Sequence, residues 1–156
     1  MRATTTRGNA TDRMTDTHAA HRCSILIVDD DAEVGELLRV TLEAEAYQVA
    51  CVRNGREALN HLRSHADTCI ILLDLMLPIM DGTLFRTTQL KDRPLAWIPV
   101  ILMSGTPDAE RRARELAARR LVKKPLDLDE VKQALSAVGC CQARPRRATE
   151  GGTIGI

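Results

Sequence analysis

Aromatic residues are almost absent: Phe85, Trp97 and Tyr47 are the only ones in 156 residues. A chain so poor in rings cannot build the stacking platforms that bind single-stranded nucleic acid, and its core must be aliphatic. An excess of charge is missing too. Lys and Arg number 22 against 21 Asp and Glu, a net charge of +1, so no bulk field draws the chain to nucleic acid or to an anionic membrane. Direct nucleic-acid binding and membrane association are not expected. No apolar run approaches the roughly 18 to 20 residues of a membrane span; even Leu95 to Met103 is broken by Pro99. The first 20 residues are polar and Thr-rich with no apolar segment of the kind a secretory signal carries. The five cysteines include no C-x-x-C pair, and a reducing cytoplasm is their simplest reading. Cys51 and Cys69 lie in apolar runs and are expected as small buried hydrophobes. The adjacent Cys140 and Cys141 have a redox-active reading, but nothing around them in sequence provides a resolving partner or metal-ligand spacing.

What is present divides the chain in three. Residues 1–21 contain no Val, Ile, Leu or aromatic residue and are expected to be a disordered tail. Residues 140–156, modestly basic and Gly-containing, are expected to be a second one. Between them, residues 22–139 have the length of one domain.

Within it, short apolar runs alternate with segments of helical period. Ile25 to Val28, Tyr47 to Val52, Ile70 to Leu73, Val100 to Met103 and Leu121 to Lys123 read as strands. Asp30 or Asp31 can cap a helix whose apolar face carries Val34, Leu37, Leu38 and Leu42. Asn54 with Glu57 forms a capping-box pattern ahead of Ala58, Leu59 and Leu62. Thr83 to Leu90 reads as a third helix. Thr106, Pro107 and Asp108 supply cap, first-turn proline and first-turn acid for a fourth, running to about Ala118. Asp127 with Glu130 caps the last, which carries Leu128, Val131, Leu135 and Val138. Strands that alternate with helices imply a parallel sheet covered on both faces, an α/β fold, because right-handed crossovers put the helices there.

Ligands of such sheets bind beyond the carboxyl ends of the strands. At those ends stand Asp29, Asp30 and Asp31, then Asp74, Ser104 and Lys124. Strand ends meet solvent and acids cap helices, which accounts for Asp31. Asp74 is different, since Leu75, Met76 and Leu77 follow it and the acid interrupts an apolar stretch. Two carboxylates about 5 Å apart repel by roughly 3 kcal/mol at an effective dielectric of 20. Asp29, Asp30 and Asp74 gathered against one Lys124 therefore call for a divalent cation, and oxygen ligands with a phosphate suit Mg²⁺. An Asp beside Mg²⁺ can act as a nucleophile toward a phosphoryl group, whose oxygens an amine and a hydroxyl can hold.

These residues resemble the receiver domain of two-component response regulators. The likeness is carried by Ile25-Leu26-Ile27-Val28-Asp29-Asp30-Asp31, Asp74-Leu75-Met76-Leu77-Pro78-Ile79-Met80-Asp81-Gly82, Ile101-Leu102-Met103-Ser104 and Val122-Lys123-Lys124-Pro125, in that order and spacing over residues 23–138. The resemblance implies a flavodoxin-like (βα)5 fold with a five-stranded parallel sheet in the order 2-1-3-4-5. It implies Asp74 as phosphoacceptor, and Asp30 and the Met76 carbonyl as Mg²⁺ ligands beside Asp74, with Asp29 a supporting acid. Ser104 would be the switch hydroxyl and Lys124 the phosphate-binding lysine, in a Lys124-Pro125 bond that is cis in the family. The partners implied are a histidine kinase or phosphotransfer protein as donor and a downstream protein as target, with the chain a monomer or weak dimer in the cytoplasm.

The chain departs from the family at three points. Leu121 stands where an aromatic switch residue is usual, which implies a weaker switch on the face of the fourth helix and fifth strand. No glycine ends the fourth helix, where Ala117, Ala118, Arg119 and Arg120 run into the strand. The 18 residues after Val138 are too few for an output module, so output is expected through a partner. Asp108 to Lys124 hold seven basic against three acidic residues. A solvated face with pairs such as Glu110–Arg114 and Glu115–Arg119 is the preferred account of them, and docking of an acidic partner the sharper one. A Mg²⁺-dependent phosphatase acting on an outside substrate is a competing reading. It needs a second acid two residues past the nucleophile, where this chain has Met76.

Overall fold

The computed structural model describes residues 22–139; the two expected tails, with Cys140 and Cys141, lie outside them. Five strands, β1 Ser24–Val28, β2 Gln48–Val52, β3 Thr68–Asp74, β4 Val100–Ser104 and β5 Arg120–Lys123, alternate with α1 Ala32–Ala44, α2 Gly55–Ser64, α3 Gly82–Lys91, α4 Arg93–Ala96, α5 Ala109–Glu115 and α6 Leu128–Val138. All pairs are parallel, in the order β2-β1-β3-β4-β5. The flavodoxin-like order that the resemblance implied is the order found. No helix among the described residues is long and apolar enough to cross a membrane.

Strand side chains alternate between two layers. Leu26, Val28, Ile71, Leu73 and Leu102 pack with Ala58, Leu59, Phe85 and Leu95 on one face of the sheet. Ile25, Ile27, Ile70, Leu72, Ile101 and Met103 pack with Leu38, Leu42, Val131 and Leu135 on the other. With both faces covered, the inner strands read as unbroken apolar runs. Asp31, not Asp30, caps α1, its carboxylate accepting from the N–H groups of Glu33 and Val34. Asn54 accepts from Glu57 N–H, while the Glu57 carboxylate returns to the N–H of Arg53, one residue before the cap. Asp81 caps α3 through Leu84 N–H, and Asp127 caps α6.

Several expectations need correction. Leu37 is 54% exposed: at 100° per residue it falls about 130° from the middle of the face formed by Gly35, Leu38 and Leu42. Cys51, on the edge strand β2, is exposed, and Cys69, near the start of β3, is only half-buried. The short helix α4, with proline in its first turn, has no period long enough to read in sequence. Thr106 does not cap α5. That helix begins at Ala109 without a side-chain cap and ends at Glu115, three residues short of Ala118.

The end of α5 explains the missing glycine. Ala118 N–H reaches Ala113 O at 2.9 Å and Ala117 N–H reaches Arg114 O at 3.1 Å, the paired bonds of a Schellman close. That motif needs a left-handed residue, and Ala117 takes it with φ 50°. A Cβ in this region costs about 1 kcal/mol. Ala117 is exposed, so Ala117→Gly should lose no packing and raise stability by about 1 kcal/mol, read as a higher urea midpoint at unchanged slope.

Candidate functional site

Three strands deliver the site to one rim. Asp29 follows β1 directly, is buried, and donates its N–H to Val52 O of the edge strand at 3.1 Å. Its Oδ1 accepts from Asp31 N–H at 3.0 Å. Asp74 is the last residue of β3 and is also buried; its Oδ1 accepts from Met76 N–H at 3.1 Å. Lys124 follows β5, where its N–H is held by Ser104 O at 3.0 Å. Its Nζ then donates to Asp29 Oδ2 and Asp74 Oδ2, both at 3.0 Å. One ammonium thus bridges acids from two neighbouring strands. The Lys124-Pro125 bond is cis.

Burial pushes the Asp29 carboxyl up, against the opposing hydrogen bonds from Asp31 and Lys124. Burial alone would lower Lys124, but its hydrogen bonds to Asp29 and Asp74 outweigh that and hold the amine above its ordinary value. Carboxylate oxygens of Asp29, Asp74 and the exposed Asp30 lie within 4.8 Å of one another. Three acids against one ammonium leave two negative charges, and an all-oxygen set of that charge fits a hard divalent ion.

Ser104, the last residue of β4, is buried. Its hydroxyl is engaged by Thr106, with 3.0 Å between the two hydroxyl oxygens and 3.3 Å from Thr106 N–H. The expected cap residue Thr106 is therefore occupied at the rim. Met76 turns its side chain outward, 72% exposed. Leu121 is half-buried against the layer that contains Phe85.

The loop after Asp74 is folded back on itself. Gly82 N–H and Leu77 N–H both reach Leu75 O, at 3.0 and 3.2 Å, and Gly55 N–H ties Met80 O to the start of α2 at 2.9 Å. Gly82 lies against the backbone of Asp74 and Leu75, where an added Cβ would come within 2.7 Å of Leu75 Cα. Only glycine allows this approach. Ile79 has φ 66° and is 79% exposed, an outlying conformation for a β-branched residue.

Two buried polar residues of α3 were not foreseen. Arg86 donates from Nε to Leu116 O and from Nη2 to Ala117 O, each at 3.0 Å, and from Nη1 to Gln89 Oε1 at 2.8 Å. Gln89 Nε2 donates to the carbonyls of Leu95 and Ile98, both at 3.0 Å. Both residues sit one helical turn from apolar neighbours, so in sequence they read as surface. On α5 the charges are largely neutralised in place: Arg111 pairs with Asp108 at 2.9 Å and Glu115 at 3.0 Å, and Glu110 pairs with Lys123 at 2.9 Å. Arg112 hydrogen-bonds to the Thr83 hydroxyl of α3. This solvated, paired surface is the kind expected, although the pairs are not Glu110–Arg114 and Glu115–Arg119.

The chain is 33% identical over 129 residues to the response regulator GtcR of Aneurinibacillus migulanus, covering 81% of this chain and 49% of that protein. It is 35% identical over 144 residues to a protein-glutamate methylesterase/protein-glutamine glutaminase of Cereibacter sphaeroides, covering 88% of this chain and 37% of the relative. The chain thus spans half or less of these relatives' length. The fold is shared with the chemotaxis response regulator CheY4 of Vibrio cholerae, with a TM-score of 0.70 at 22% identity over 76% of this chain and 99% of that one. It is shared also with a response regulator receiver protein from Pseudomonas putida, with a TM-score of 0.69 at 23% identity over 74% and 97%. The family model of the response regulator receiver domain matches residues 25–136, the stretch that carries every strand end of the acidic rim, and the chain belongs to that family.

Proposed function

We propose that Asp74 accepts a phosphoryl group from a phosphohistidine of a histidine kinase or phosphotransfer protein, in a Mg²⁺-dependent reaction, and that the phosphorylated chain signals through a partner protein. The observation that carries this reading is the shared grip of Lys124 on Asp29 and Asp74 at 3.0 Å, with Asp30 completing a cluster of oxygens. Asp29, Asp30 and Asp74, with the Met76 carbonyl, would hold the ion. Bound there, a divalent cation would offset the acids' charge and draw phosphoryl oxygens toward Asp74.

A carboxylate oxygen of Asp74 attacks phosphorus while the bond to the donor's imidazole nitrogen breaks, and the imidazole leaves with that electron pair. Lys124 follows an equatorial phosphoryl oxygen, exchanging its carboxylate bond for one to phosphate. Ser104 can turn from Thr106 and donate to a second. The Met76 N–H stays on the aspartyl group and fixes its orientation. The chemistry of the chain itself is self-phosphorylation and self-dephosphorylation. A phosphatase with an outside substrate would need an acid near the leaving group, and the exposed thioether of Met76 occupies that place.

Acetyl phosphate should add one phosphoryl group per chain with Mg²⁺ present and none in excess EDTA, measured by intact mass. Equal uptake in EDTA would remove the reading. The lifetime of the phosphorylated state is set by water reaching the acyl phosphate past Met76 and Thr106. A thioether cannot hold that water by hydrogen bonding, so the chain should dephosphorylate slowly, and Met76→Asn should shorten the half-life severalfold. An unchanged or longer half-life contradicts this account.

A further inference from the structure

Asp108 stands at the N-cap of α5, yet its side chain makes no cap bond to that helix. The carboxylate is engaged elsewhere. A hydrogen bond from the Thr106 side chain is the leading reason that the Asp108 carboxyl lies below its ordinary value; burial opposes it, and the charges of Arg111 and Arg112 add to it. Asp108 Oδ2 meets Arg111 at 2.9 Å and Arg112 at 4.0 Å. Arg111 is itself held by Glu115 at 3.0 Å, and Arg112 by the Thr83 hydroxyl, so the acid that receives the Thr106 hydroxyl is fixed in place.

The direction of the protons follows. A hydroxyl has one proton to give, and an ionised carboxylate only accepts. With the Thr106 proton on Asp108, the 3.0 Å bond between the Thr106 and Ser104 hydroxyls must use the proton of Ser104. The Thr106 N–H, at 3.3 Å, donates to the Ser104 oxygen and leaves that direction unchanged. We propose that Asp108 is a positioning residue for the Ser104 hydroxyl: acting through Thr106, it keeps the Ser104 proton on Thr106 until a phosphoryl group competes for it. This rests on Asp74 as phosphoacceptor and adds to that reading a restraint on the hydroxyl beside it.

Counting bonds gives the size of the restraint. With Asp108 present, Ser104 exchanges its bond to Thr106 for one to a phosphoryl oxygen, and Thr106 cannot donate to Ser104 without leaving Asp108. The number of bonds does not rise. Without the carboxylate, Thr106 turns its proton to the Ser104 oxygen, and the Ser104 proton is free for the phosphoryl group, a gain of one bond. The protons change direction by rotation about the Cβ–O bonds, and no covalent bond breaks. One such bond corresponds to about a fivefold change in affinity.

The full chain with Mg²⁺ is titrated with beryllofluoride, a mimic of the phosphoryl group, and bound fluoride is counted by fluorine NMR. Asp108→Ala should bind about fivefold more tightly than the native chain. Removing a negative charge would also favour an anion, so the deciding measurement is a double-mutant cycle. Thr106→Val, which has no hydroxyl, should tighten binding by a similar factor, and adding Asp108→Ala to it should change affinity by less than about twofold. In Thr106→Ser, which keeps the hydroxyl, Asp108→Ala should again tighten binding about fivefold. Thr106 is exposed and Asp108 half-buried, so these substitutions leave the core intact. Unchanged affinity in Asp108→Ala, or a fivefold gain that persists in the Thr106→Val background, would overturn the proposal while leaving Asp74 as acceptor. No bound fluoride in the native chain, with no phosphoryl uptake from acetyl phosphate, would overturn the acceptor reading and the restraint with it.

Discussion

Asp74→Asn is expected to abolish phosphoryl uptake from acetyl phosphate while leaving the fold in place. Asn has the shape of Asp, and its amide oxygen can still accept from Met76 N–H or from Lys124, which now contact Asp74 at 3.1 and 3.0 Å. What it lacks is the anionic oxygen that attacks phosphorus. Two electrostatic changes oppose each other in stability. The repulsion of Asp74 by Asp29 and Asp30, whose oxygens lie within 4.8 Å, is relieved, and the attraction to Lys124 is lost. At an effective dielectric of 20 the two repulsions together and the one attraction each come to roughly 6 kcal/mol, so they largely cancel and the net change should be small, of the order of 1 kcal/mol. Intact mass after acetyl phosphate treatment reads the first effect and urea denaturation the second. Uptake by Asp74→Asn at the native rate would show that another residue is the acceptor.

How far the fold and the site could be read beforehand depends on where the determining contacts lie in the chain. Ile25 to Val28 and Ile70 to Leu73 declared themselves because a strand buried on both faces has no polar alternation, and this sheet is buried on both. Asp74 was visible because it interrupts an apolar run. Lys124 and Asp29 are 95 residues apart, yet both could be placed, since parallel topology brings every strand end to one rim. Two features failed to show for the same physical reason, that contacts distant in sequence override local pattern. Thr106 has the local signature of a helix cap but is taken by Ser104, so α5 starts later. Leu37 fits an apolar helix face by spacing, but the sheet meets α1 along Gly35, Leu38 and Leu42.

Arg86 is the buried residue whose loss should cost the most stability. It is 4% exposed, and among its hydrogen-bond partners are the carbonyls of Leu116 and Ala117 and the Gln89 side chain, none of them a carboxylate. Burial, and then repulsion from Arg119, lower its pKa, yet a guanidinium stays charged at any ordinary pH. Its charge is offset by carbonyl dipoles where α5 ends, the negative end of a helix. Through this fork α3, which follows the acceptor loop, grips the turn that leads into β5 and so to Lys124. Arg86→Met keeps most of the stem's volume but removes every donor. The carbonyls of Leu116 and Ala117 and the Gln89 oxygen then lose charged hydrogen bonds worth roughly 1.5 to 3 kcal/mol each when measured singly. Because relaxation and water recover part of the sum, the expected loss is about 3 kcal/mol, a large fraction of the 5 to 15 kcal/mol typical of a domain. Arg86→Lys should recover only about 1 kcal/mol of this, since one ammonium cannot span two backbone carbonyls and an amide oxygen in the geometry of the fork. Urea midpoints of the three proteins at equal slope measure both numbers. A loss below about 1 kcal/mol for Arg86→Met, or full recovery by lysine, would mean that water or Gln89 satisfies these carbonyls without the guanidinium.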